Sequence, residues 1–199
     1  DGIMALSAAD GLDLATTSDI VIDALTAFGL SASDSSHFAD VLAKASSSAN
    51  TNVAMLGESF KYVAPVAGAL GYSVEDTSIA LGLMANAGIK GSQGGTALRA
   101  SLSRLIKPTD DAAALMKAYN ISLTNSDGSM KSLGEVMGML RTNLGGLTEA
   151  EQSQVAATLF GQEAMSGMLA IINTSDKDYN DLTTSIYNAK DAAQTMADI

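Results

Sequence analysis

Cysteine is absent from these 199 residues, which removes disulfides, thiolate metal sites and cysteine nucleophiles at once and leaves stability to packing alone. Tryptophan is absent too, aromatics make up only 5%, and there is a single histidine. That is a poor supply for the stacked walls of a sugar cleft or for an imidazole-built centre. Basic residues are scarce, 11 against 22 acidic, so the formal charge of −11 repels phosphate and argues against general nucleic-acid binding. Long uncharged runs are also missing. Runs such as 62–74 and 77–89 fall short of the ~20 residues a membrane-spanning helix needs, and each contains Gly or Pro. Asp1 stands where an initiator methionine would be, and Ile199 falls within a helix-forming run, so the chain is expected to be an excised piece.

What is present is helix. With 47% hydrophobic residues, a core is affordable, and apolar residues recur at one-sided helical spacing. Examples are Val21, Ala24, Leu25 and Phe28; Leu98, Leu102, Leu105 and Ile106; Leu133, Val136, Met137 and Leu140. Start signals agree with the stripes: Ser73 precedes Asp76, Ser132 precedes Glu135 and Thr148 precedes Glu151 by three residues, the spacing of a capping box, with Ser175 and Asp178 a weaker copy. Pro108 fits the first turn of a helix running to about Tyr119.

Stops repeat as well. Phe28-Gly29-Leu30-Ser31, Leu70-Gly71-Tyr72-Ser73 and Tyr119-Asn120-Ile121-Ser122 each offer a left-handed residue followed by an apolar one that packs back on the helix just ended. The phase after the first two is shared, Asp34, Val41, Leu42 and Ala45 against Asp76, Leu83, Met84 and Ala87, which suggests a degenerate repeat. Alternation about Asp127-Gly128 predicts one small β-hairpin insert near 121–131. The expectation is therefore an all-α fold, a compact array of nine or ten short helices over 1–199, with 1–107 and 108–199 as possible sub-units. Eighteen glycines, many at predicted helix ends, argue against a continuous rod.

No chemistry-bearing constellation survives inspection, so no catalytic, cofactor or metal residue is assigned. An EF-hand reading from Leu123 places Asn125, Asp127 and Gly128 correctly but requires ligands at Leu123 and Gly134; a second attempt at Asp176, Asp178 and Asn180 needs glycine at Asp181 and glutamate at Tyr187. Both read better as a turn and a helix start. His37 has no second imidazole and no G-x-S-x-G elbow, so it reads as a partly exposed helix residue. The glycines of 88–96 invite an anion-cradle reading, but no Walker lysine precedes Thr96. A helix-to-helix turn permitting close approach fits better. Glu58-Ser59 with Gly82-Leu83-Met84 resembles signatures of helical lytic transglycosylases, but Ala85 replaces the expected glutamine. One surface feature stands out: no acid lies between Asp76 and Asp110, whereas Lys90, Arg99, Arg104 and Lys107 do, a basic island able to meet an acidic partner or simply a solvated helix face.

A family resemblance covers most of the chain. The stretch Leu56-Gly57-Glu58-Ser59-Phe60-Lys61, Ala64-Pro65 and Leu70-Gly71-Tyr72-Ser73, then Ala87-Gly88-Ile89-Lys90-Gly91-Ser92-Gln93-Gly94-Gly95-Thr96-Ala97-Leu98-Arg99 and Leu105-Ile106-Lys107-Pro108, resembles the core of phage tail tape measure proteins of the TP901-type branch. Asp127-Gly128-Ser129 and Leu159-Phe160-Gly161 resemble later segments of the same family; Gly94 departs from the alanine expected there. The resemblance implies an internal tail protein around which tube subunits polymerise and whose length sets tail length, without a catalytic residue. It implies tube subunits, assembly chaperones and tail-tip proteins as partners, a possible homo-oligomer, and residence in the virion tail interior after assembly in the host cytoplasm. The alternatives are a helical adaptor or binding module of another assembly and a peptidoglycan-cleaving enzyme using Glu58. A fully helical rod of this length would reach ~300 Å, whereas a compact body has a radius of gyration near ~16 Å. The glycine stops favour the compact form.

Overall fold

A computed structural model describes all residues 1–199, and its regular structure is helical, with no sheet. In chain order the helices are α1 (Gly2–Asp10), α2 (Leu14–Ala27), α3 (Ser35–Ser48), α4 (Val53–Ala69), α5 (Val74–Asn86), α6 (Gly91–Ile106), α7 (Asp110–Ala118), α8 (Leu133–Leu144), α9 (Glu149–Phe160), α10 (Met165–Asn173), α11 (Asp176–Tyr187) and α12 (Ala192–Ala197), with one 3-10 turn at Ala32–Asp34. The accessible surface of 9275 Å² is near the ~8,800 Å² of a compact monomer of this mass, so the helices fold back on one another instead of stacking end to end. One hydrophobic cluster runs from Leu6 and Phe38 through Phe60, Leu83 and Leu98 to Leu140, Phe160 and Ile186. No helix is long and apolar enough to cross a membrane.

The caps explain where helices begin. Ser132 with Glu135 and Thr148 with Glu151 close complete capping boxes at α8 and α9, and Ser31 with Asp34 closes a third ahead of α3. Asp13, Asn52, Thr109 and Ser175 each accept an N–H from the first turn of α2, α4, α7 and α11. Thr109 is the cap and Asp110 opens the helix, so Pro108 sits before the cap and not inside the first turn as expected. Asp40 of α3 supplies the cap that α12 lacks locally, accepting from the N–H groups of Asp191 and Ala193. The short helices α1, α10 and α12 have no side-chain cap of their own, and twelve helices form where nine or ten are predicted.

The stops form as expected. Gly29, Gly71 and Asn120 all take positive φ, and the apolar residue after each donates its N–H to the helix behind: Leu30 to Leu25 O, Tyr72 to Ala67 O and Ile121 to Met116 O. Gly88 and Ile89 end α5 in the same way, with Ile89 donating to Met84 O.

The hairpin expected near 121–131 does not form. The turn is there, with Asn125 donating to Ser129 O and Lys131 to Leu123 O, but it closes only a single bridge between Thr124 and Met130. The return arm has no room to extend, because Ser132 already caps α8, and no third strand exists to pair with either arm.

Helices α2, α4 and α6 form a layer, and α4 is its middle. Gly57 and Gly68 of α4 face Ile20 and Ala27 of α2, while Ser59 faces Gly95 of α6. Residues 57 and 59 project about 200° apart on a helix, so the two neighbours lie on opposite sides of α4. Leu56, Phe60, Val63 and Ala67 fill the third side, toward the core, and Glu58, Tyr62 and Pro65 remain exposed on the fourth. Beneath this layer α3 and α5 pack together, α8, α9 and α10 close the far side, and α11 lies over α3 and α5. The last helix, α12, returns to pack on α1.

Candidate functional site

Ser59 and the glycines of 88–95, part of the stretch that carries the family resemblance, meet at the seam between α4 and α6. Ala87-Gly88-Ile89 terminates α5; Lys90, in extended conformation, leads into α6, whose first residue Gly91 has φ +62°. Only glycine takes that conformation without strain. A Cβ on Gly95 would stand 2.2 Å from the carbonyl oxygen of Ser59 and 2.7 Å from its Cα, so the two backbones touch directly. Gly94 is also tight, with Ile89 O 3.1 Å from where a Cβ would lie. Ser59, 3% exposed, seals the crossing: its hydroxyl donates to Gly91 O at 2.6 Å and lies 3.1 Å from Met55 O. The glycine run thus presents no open cradle for an anion. It is a backbone seat, the close helix approach anticipated for it.

A second centre lies on α5, where sequence reasoning saw only a capping box. Ser73 does accept the N–H of Asp76, but the Asp76 carboxylate does not return to the cap. Buried to 5% exposure, it accepts the N–H of Gly134 in the first turn of α8 (2.9 Å) and the hydroxyl of Tyr187 at the end of α11 (2.6 Å). No cation pairs with it; the positive end of the α8 dipole and the phenol satisfy it instead. Space at Gly134 is tight, since a Cβ would sit 3.2 Å from both carboxylate oxygens. Burial, then the hydrogen bond to Asp76, pushes the Tyr187 hydroxyl up to about 12.

Arg141 of α8 makes a third junction. Its side chain is 9% exposed, donates to Ile171 O at the end of α10 (2.7 Å) and to Asp176 at the start of α11 (2.9 Å), and stacks 4.3 Å over the ring of Tyr179. Gln152 and Asn173 exchange two hydrogen bonds nearby, tying α9 to α10. Nothing local marks Asp76 or Arg141 in sequence, since their partners lie 58 and 111, and 30 and 35, residues away.

The four cations of the basic island are spread over α6. Lys90 reaches Asn50 across the loop, and Arg104 turns inward to Thr158 O beside Gly161. Arg99 lies 5.7 Å over the ring of Tyr62 and, like Lys107, is exposed. The other residues weighed in sequence have plain roles. Glu58 is exposed and paired with Lys61, whose ammonium that carboxylate pushes up. His37 meets Glu75 at the surface, joining the starts of α3 and α5. Asp127 accepts from Ser129, whose hydroxyl and N–H hold its carboxyl below the usual range, so it closes a turn.

Residues 1–161 match the family of phage-related minor tail proteins, and the chain belongs to that family. It is a family of structural tail proteins and not of enzymes. Among relatives, the chain is 40% identical over 197 residues to the tape measure protein of Pneumococcus phage Dp-1, covering 99% of this chain and 17% of that protein. It is 29% identical over 168 residues to the probable tape measure protein of Escherichia phage P2, covering 83% of this chain and 21% of that protein. The chain therefore spans about a fifth or less of the length of these relatives. No solved structure matches it.

Proposed function

We propose that this chain is a folded assembly module of a tail tape measure protein of the TP901-type branch, a compact body carrying contacts to other tail proteins while longer helices elsewhere serve as the ruler. The observation that supports this reading is where the family signature is used. Gly91, Gly94, Gly95 and Ser59 of that signature build the α4–α6 seam, so what this part of it encodes is a close approach of two helices. The partners would be tube subunits, assembly chaperones and tail-tip proteins, met in the host cytoplasm and retained in the tail interior. Residues 1–107 and 108–199 act as one unit in this reading, since a single core passes through both. Of the basic island, Arg99 and Lys107 are free to meet an acidic surface. The net charge of −11 keeps the body from retaining DNA passing through a tail.

Deletion in the phage separates the module from the ruler. Removing residues 1–199 should abolish tails, whereas removing an equal length from a long helical region of the parent protein should yield shorter tails of normal form. Tails that merely shorten in proportion when the module is lost would refute the proposal. Scattering from the isolated chain should give a radius of gyration near ~16 Å.

A further inference from the structure

We propose that this chain is a bypass in the ruler: the polypeptide enters along α1 and leaves along α12 in the same direction, so that 199 residues advance it by only about 20 Å. The inference rests on the ruler of the reading above and adds how the folded body is set into it. Helix α3 is the scale against which both ends are measured. Gly2, at the start of α1, lies against Ser36 in the first turn of α3, where a Cβ would stand 2.7 Å from the Ser36 Cα. Asp10, at the end of α1, accepts the N–H of Val53, which lies beyond the other end of α3. Helix α1 therefore runs with α3. Helix α12 does the same: Asp40 accepts the N–H groups of Asp191 and Ala193 at its start, and the Ser46 hydroxyl lies 3.9 Å from Met196 Sδ near its end.

These registers fix the heights of the two ends. Asp1 stands level with the first turn of α3 and Ile199 level with its last. Helix α3 has 14 residues, so at 1.5 Å each the ends are about 20 Å apart along its axis. Sideways, α1 and α12 pack on each other, an offset of about 10 Å. Helix α1 packs on α2, α3 and α12, and α12 on α1 and α3, so the pair forms one edge of the body. Asp1 and Ile199 are both exposed, and a longer parent can continue from either without disturbing the core. Had α1 and α12 been antiparallel, the polypeptide would turn back on its own path; parallel, it resumes its line. The body then hangs beside that line and occupies as much of it as a helix of about 13 residues.

The absence of cysteine lets spin labels be placed at will. Met4 of α1 and Asp198 just after α12 are exposed. In a chain carrying Met4→Cys and Asp198→Cys, its fold checked by circular dichroism, dipolar spectroscopy should give one distance of about 20–30 Å, label arms included. A mean beyond about 40 Å, the width of a body of this radius of gyration, would overturn the proposal. In the phage, a second tandem copy of residues 1–199 in the parent protein should lengthen tails, averaged over many particles, by about 20 Å, roughly fifteenfold less than the ~300 Å of a helical insertion of equal size. Lengthening by the full helical amount would equally overturn it. Should the duplicated parent build no tails, the labelled distance decides alone. Deletion keeps the two readings apart: tails that form without the module and shorten by only about 20 Å would end the assembly role and leave the bypass standing.

Discussion

Along the α4–α6 seam two backbones meet with nothing between them but the hydroxyl of Ser59, whereas around α8 and α11 the helices are held at arm's length by long side chains, Arg141 on Ile171, Asp176 and Tyr179, and Tyr187 on Asp76. The first region gains its fit from missing side chains, the second from polar ones with every strong partner in place. The two should fail differently. A seam built on glycine tolerates no added carbon, because the obstacle is a neighbouring backbone. A clip built on hydrogen bonds tolerates changes of shape but not the loss of one partner, since a buried donor or acceptor is then left bare.

The largest effect is expected at the seam. Gly95→Ala should cost about 3 kcal/mol of unfolding free energy, measured by urea denaturation, because its methyl would overlap Ser59 O and Cα. At the clip, Arg141→Ala should cost about 2 kcal/mol by stranding Ile171 O and removing the stack on Tyr179, and Arg141→Lys should recover only part of it. Tyr187→Phe should cost about 1 kcal/mol near neutral pH, because Asp76 loses a donor. The sign of its pH dependence follows from the raised hydroxyl. The phenol binds its proton more tightly in the folded chain, so its contribution is complete below pH 10.0 and fades as pH climbs toward about 12. The gap between Tyr187→Phe and the parent should therefore narrow over that range. Burial pushes Tyr72 and Tyr179 up as well, so both proteins should weaken there. The smallest effect has the opposite sign. Gly138, inside α8, has nothing within 4 Å of an added Cβ, so Gly138→Ala should stabilise by about 0.5–1 kcal/mol, measured as a rise in Tm. Equal costs at Gly95 and Gly138 would erase the distinction between a glycine that packs and one that does not.

Much of the fold could be read in advance because its signals are local. Capping boxes at 132–135 and 148–151, glycine stops at 29 and 71 and the amphipathic stripes each occupy a few residues, and each formed as expected. The hairpin misled because an Asp-Gly turn fixes only the reversal; strands need arms, and Ser132 ended one of them. Asp76 misled in a subtler way. Ser73 and Asp76 have the spacing of a box, but a carboxylate at that position can turn either to its own cap or to another helix, and its partners lie far along the chain. For the site, the glycines of 88–95 were legible as a place of close approach, whereas Ser59 as the residue approached was not. Of the basic island, spacing alone could not tell Arg99, which stays at the surface, from Arg104, which turns inward.

The return of α12 onto α1 has a consequence for topology. With the first and last helices side by side, the order of elements is nearly a closed circuit, and the point at which the polypeptide is cut matters little to the contacts inside it. A permuted chain, its old ends joined by a short glycine-serine bridge and new ends opened at Asp127-Gly128, would retain the seam, both clips and the Asp40 cap of α12.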